Sequence, residues 1–147
     1  MGTAAYQKHL FTRRWRSVQA ARRPKEVNDL HIPIVSICRY ALKPGIMMRH
    51  YPAGEWRDPR SAAKLKAMGV LAGCADLEFI WRDAEGFLRI LFIEFKLPGR
   101  KQSEVQLAFM ERARHLGPYC VASTIEEALA ALRHNGLLDP AIKISMP

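Results

Sequence analysis

The sequence predicts an α/β fold, a mixed β-sheet flanked by helices, and two observations carry that expectation. In the centre, residues 76–82 (DLEFIWR) and 87–96 (FLRILFIEFK) are rich in aromatic and branched side chains, with the turn sequence DAEG between them: an antiparallel hairpin. On both sides lie segments with helical apolar spacing and capping signals, and the last two helices enclose a short apolar run, YCVA. Helices on both sides of a hairpin, with a strand returning after a helix, make a layered α/β sandwich. At 147 residues the chain is one domain by the usual range of about 100–200 residues. Its 49% hydrophobic and 25% charged residues are globular usage, not disorder. No run of about 18 apolar residues is present, so no membrane span is expected.

The elements follow in order. Residues 26–42 place Leu30, Ile34, Ile37, Tyr40 and Ala41 at helical spacing, with Pro33 expected to break, kink or start the helix. Lys43-Pro44-Gly45 stops it, and 46–50 reads as a short strand before the polar loop YPAGEWRD. Asp58-Pro59 is an N-cap followed by proline at the first helical position, and Gly69 closes that helix. In the second hairpin strand Phe87, Arg89, Leu91, Ile93 and Phe95 share one face, and Leu88, Ile90, Phe92, Glu94 and Lys96 the other. Ser103 caps a helix predicted to reach Leu116, before Gly117-Pro118. Residues 119–122 form a strand, and Ser123 with Glu126 reads as a capping box for a last helix through His134.

The charge is unevenly spread. Residues 1–25 hold Lys8, Arg13, Arg14, Arg16, Arg22, Arg23 and Lys25 with no acid, a charge of +7, which leaves +2 of the chain's +9 for residues 26–147. We divide the chain accordingly into a basic arm (1–25) and a domain (26–147). An acid-free basic arm suits a polyanion, with nucleic acid first and a membrane surface second. A targeting peptide is a third reading, though the arm is poor in hydroxyls and has no apolar core segment. Three cysteines (Cys38, Cys74, Cys120) without a CxxC fit a reduced, cytoplasmic protein.

The chemistry-bearing residues converge through the hairpin. The start of one antiparallel strand lies beside the end of the other, so Asp76 meets Glu94 and Lys96 at one sheet edge. Two neighbouring carboxylates repel unless a cation or proton lies between them. All-oxygen ligands favour a hard ion such as Mg²⁺ or Mn²⁺. Lys96 could orient or deprotonate a water there, or neutralise charge on a phosphate. Against this, Asp76 alone reads equally well as a turn residue, and Glu94 with Lys96 as a solvated pair.

The runs GVLAGCADLEFIW and FIEFKLPGRKQSEVQ resemble the VRR-NUC branch of the PD-(D/E)XK nuclease superfamily. The matching positions are Asp76, the Glu94-x-Lys96 pair and Gln106, with Ala75 where the family has proline. The resemblance spans residues 26–132. It implies a restriction-endonuclease-like core and Mg²⁺- or Mn²⁺-dependent hydrolysis of DNA phosphodiesters to 5′-phosphate ends. The substrates implied are branched DNA such as Holliday junctions or flaps, as in DNA repair, cut by a homodimer. The implied metal ligands are Asp76, Glu94, the backbone carbonyl of Phe95 and an acidic residue of the first helix, Glu26 or else Asp29. Gln106 would contact phosphate or the metal-site network, although its place three residues after Ser103 also suits a capping box. Arg100 and Lys101 in the following loop, and Arg13, Arg14, Arg16, Arg22 and Arg23 in the arm, are the expected DNA contacts. Trp15 and Trp56 are candidates to stack on unpaired bases, and His50 to face the substrate. The alternatives are a non-catalytic nucleic-acid-binding module of the same fold, and a basic protein binding anionic lipid through its arm.

Overall fold

The computed structural model describes residues 25–51 and 58–144. The arm up to residue 24, with its five arginines and Trp15, and the loop that contains Trp56, lie outside the described residues. Among the described residues four strands form one sheet in the order β1–β2–β3–β4: β1 (Met47–His50), β2 (Leu77–Arg82), β3 (Leu88–Phe95) and β4 (Tyr119–Ala122). The pairs β1–β2 and β2–β3 are antiparallel, and β4 joins β3 in parallel, so the sheet is mixed as expected. The helices are α1 (Ile32–Ala41), α2 (Pro59–Ala67), α3 (Glu104–Ala113) and α4 (Ile125–His134).

Each face of the sheet has its own apolar layer. Leu77, Phe79, Leu91, Ile93 and Phe95 pack against Ile34, Ile37 and Ala41 of α1 and Ile125, Ala128, Leu129 and Leu132 of α4. The opposite face carries a smaller cluster of Ala75, Phe92 and Ala113, with Ile90, Phe109 and Tyr119 around it. This division follows the alternation read from β3. Glu94 therefore stands on the α3 face, beyond Phe92.

Pro33 does not break the first helix; the α-helix proper starts beside it, at Ile32. Residues Val27–His31 form a widened π-helical turn that runs into α1, with Ile32 N–H donating to Val27 O. Proline has no N–H to give, and it lies in the first turn of α1, where that absence costs least. The widened turn carries the chain past it. The final cap also differs from expectation. Thr124, not Ser123, caps α4 by accepting from Glu127 N–H, while Ser123 N–H donates to Glu127 Oε2. The third helix ends at Ala113, three residues short of Leu116.

Two glycines let backbones approach. At Gly73 (φ +75°) a Cβ would lie 2.4 Å from Val105 O, so the loop entering β2 rests directly on α3. At Gly117 a Cβ would lie 2.1 Å from Ile90 O, where the turn after α3 crosses β3. Neither contact leaves room for a side chain. Cys38, Cys74 and Cys120 are free thiols. No helix among the described residues is long and apolar enough to cross a membrane.

Candidate active site

The hairpin register builds the site. Leu77 pairs with Ile93, so Asp76, one residue earlier, comes level with Glu94. Asp76 Oδ2 accepts from Phe95 N–H at 2.8 Å, which extends the ladder through a side chain and fixes the carboxylate at the strand end. Ala75 is fully buried against Phe92 and Ala113. His50 Nδ1 lies 2.7 Å from Asp76 O. A carbonyl only accepts, so Nδ1 carries the proton. The His31 ring meets His50 edge-on at 4.5 Å and Phe95 at 5.4 Å. Burial, then the neighbouring His50, lowers the His31 pKa to about 4, so this ring is neutral at physiological pH.

Glu94 is 0% exposed, between β2 and β4 and under α3. Its Oε1 is crowded: Lys96 Nζ lies at 2.8 Å, and Gln106 Nε2 donates to the same oxygen from α3. Its Oε2 is buried with no partner. Gln106 serves two masters. Its Oε1 accepts from Ser103 N–H while Ser103 Oγ accepts from Gln106 N–H, a complete capping box that leaves Nε2 directed at Glu94. Gln106 thus caps α3 and at the same time contacts Glu94.

Lys96 bridges to the first helix. Its Nζ is 3.5 Å from Glu26 Oε1, and Glu26 Oε2 accepts from Leu97 N–H at 3.2 Å. Glu26 is therefore the first-helix acid at the site, while Asp29 Oδ2 accepts from Lys25 N–H. Arg100 and Lys101 are exposed on the loop just beyond.

The electrostatics record a conflict. Burial first, then the Asp76 charge, push the Glu94 carboxyl up to about 7 despite the Lys96 ammonium beside it. Burial also raises Asp76, against the Phe95 N–H, Lys96 and His50. Burial opposes the charge on Lys96, but the bonds and charges of Glu94, then Glu26 and Asp76, outweigh it and hold it as an ammonium. Two converging carboxylates, both disfavoured as anions and one with a bare buried oxygen, are a donor set that a hard cation would relieve. Among the described residues no three His, Cys, Asp or Glu side chains close a metal cage. An ion held by Asp76 and Glu94 would keep positions open for water and substrate.

Two further polar groups were not foreseen from sequence. Gln102 Nε2 and the Tyr119 hydroxyl are both buried, and Gln102 lies against the phenol. Burial, then the charges of Glu94 and Asp76, raise the Tyr119 phenol, so it stays protonated. Tyr119 pairs with Phe92, one rung from Glu94 on the same face, a proximity visible only once the parallel register is known.

Among solved structures the chain is similar to one described as a VRR_NUC domain protein. The two are 21% identical over 91% of this chain and 88% of that one, with a TM-score of 0.44. No protein-family model and no curated protein matches the chain.

Proposed function

We propose that the protein is a Mg²⁺- or Mn²⁺-dependent DNA endonuclease of VRR-NUC type that hydrolyses phosphodiester bonds. The observation that carries this is the bare, buried Oε2 of Glu94 level with Asp76. A non-catalytic DNA-binding module gains nothing from aiming two carboxylates at a polyanion. Asp76, Glu94 and the backbone carbonyl of Phe95 would hold the ion. When bound, it would supply positive charge to the phosphate and a water of lowered pKa.

The chain's own residues do the rest. Asp76 is held at the strand end by Phe95 N–H and backed by His50. Gln106 from α3 and Lys96 from just past the end of β3 hold Glu94. Lys96, kept charged by Glu94 and Glu26, neutralises negative charge as it develops on the phosphate. Glu26 sets the Lys96 ammonium from the first helix. Arg100 and Lys101 extend the positive surface past Lys96, and the arm adds five arginines. Branched DNA, junctions or flaps, is the substrate class we propose. On a two-fold symmetric junction paired incision requires two sites, hence a homodimer. A cytoplasmic location is the corresponding proposal.

The test is incubation with branched, nicked, flapped and linear DNA in Mg²⁺, Mn²⁺ or EDTA. Cleavage is expected only with metal, and Asp76→Ala, Glu94→Ala and Lys96→Ala are each expected to abolish it while DNA binding persists. Because the three act together, double variants lose little more than single ones. Full activity in EDTA, or in Lys96→Ala, refutes the assignment.

A further inference from the structure

Beside the carboxylates, on the same face of the sheet, lies a cavity of about 450 Å³ that the metal site does not use. It is bounded by the connection from α2 to β2, by β3 and by α3. Phe92 and Phe109 form its floor, Met68, Leu71 and Leu116 its rim, and Glu78, the one acid among the described lining residues, a wall. The rim side chains are strikingly open for apolar groups: Met68 is 69% exposed, Leu71 55% and Leu116 71%.

We infer that this cavity receives a single unstacked nucleobase of the DNA strand being cut, an inference that rests on the nuclease reading of the adjacent carboxylates. Position is the first argument. Glu78 pairs directly with Phe92, and Phe92 precedes Glu94 by two residues on the same face. Two residues of strand span about 7 Å, so the cavity opens immediately next to where a phosphate would meet Asp76 and Glu94. Size is the second, because single small ligands occupy sites of roughly 300–1,000 Å³.

Chemistry is the third argument. Unstacked bases are held between aromatic and apolar side chains and read by hydrogen bonds to their edges. Phe92 and Phe109 meet edge-to-face at 5.8 Å and offer the apolar surface. The Glu78 carboxylate, 5% exposed and paired with Arg49 at 2.7 Å, is an acceptor for the exocyclic amine of a base. Arg49, itself over the Tyr51 ring at 4.9 Å, and Arg112 supply cations at the mouth for the flanking phosphates. The exposed helix α2, which carries Arg60, Lys64 and Lys66 and buries no residue, leads into this mouth through Met68. A second copy of this +9 chain would bring more cations to the same rim; a nucleotide brings the anion they lack.

The test is a binding cycle. An abasic analogue replaces, in turn, each nucleotide around the cut in the preferred DNA, and affinity is measured in Ca²⁺. For the wild-type chain, one position next to the cut is expected to lose about five- to a hundredfold in affinity. In Leu71→Ser/Leu116→Ser, whose side chains are mostly exposed and whose fold should persist, natural and abasic strands are expected to bind within about twofold of each other. Equal affinity for every abasic strand in the wild type, with binding and cleavage intact, overturns the pocket and leaves the nuclease standing. So does undiminished discrimination in the double variant. Conversion of a dimer to a monomer by the same two substitutions, seen by light scattering, would assign the groove to a protein interface and overturn the inference. A wild-type chain that binds no DNA removes the nuclease reading and this one together.

Discussion

Replacing Glu94 by glutamine should make the metal-free protein more stable at high pH, and the size of the gain can be worked out. A carboxyl that titrates at about 7 in the folded chain, where a free one titrates at 4.5, binds its proton more tightly folded than unfolded. Its favourable contribution is complete below 4.5, where both states hold the proton. It is lost as pH rises through 7, where the folded state must bury an anion. Above both values the loss is at most about 3 kcal/mol, at about 1.4 kcal/mol for each pH unit between them. Glu94→Gln keeps the shape and an acceptor for Lys96 and Gln106 but never carries the charge. In EDTA its melting temperature should draw away from that of the wild type between pH 4.5 and 7 and then stay level. For a chain of this length the gap should reach about 5–10 °C. The assay is a pair of melts at half-unit pH steps, repeated with Mn²⁺. At a hundredfold excess over its dissociation constant the ion should add about 2.7 kcal/mol to the wild type and much less to Glu94→Gln. A melting-temperature difference that ignores pH would show that Asp76 and burial do not act on this carboxyl as described.

Other perturbations separate the parts. Gly73→Ala forces a Cβ against Val105 O and should destabilise by about 1–3 kcal/mol, and it should slow cleavage more than its lower melting temperature explains because the same loop carries Asp76. Gln106→Glu keeps the capping acceptor but sets a like charge against Glu94. It should preserve helicity by circular dichroism and abolish cleavage, whereas unaltered cleavage would leave Gln106 with capping alone. Deleting residues 1–25 removes seven cations and should flatten the slope of log affinity against log salt by about four to six, with cleavage retained at saturating protein. An unchanged slope with a lower melting temperature would instead make the arm structural.

The site was legible because it sits in the strongest pattern of the sequence. Alternation in residues 87–96 set the two faces, and antiparallel pairing brought Asp76 to Glu94 across an 18-residue separation. The first helix was harder, since proline chemistry alone says that an interior Pro33 is costly and does not say that a widened turn will absorb it. The last cap was ambiguous for a plainer reason. Ser123-Thr124 and Glu126-Glu127 offer the same three-residue spacing twice, and the choice falls to where β4 ends, at Ala122 opposite Phe95. Arg49 with Glu78 and His50 with Asp76 depend on the register of β1 against β2, which a four-residue strand does not announce. The buried polar atoms of Gln102 and Tyr119 leave no mark in the sequence at all.

Gln106 ties the opening turn of α3 to the floor of the site through one amide group. The oxygen end closes the helix and the nitrogen end holds Glu94, so neither can be released without loosening the other. Fraying of that helix end then costs the carboxylate its Gln106 contact and leaves Lys96 as the partner of Oε1. Amide hydrogen exchange at the start of α3 becomes a gauge of how well the site is assembled, readable without any substrate. Any ligand that steadies Glu94 should slow that exchange through the Gln106 amide.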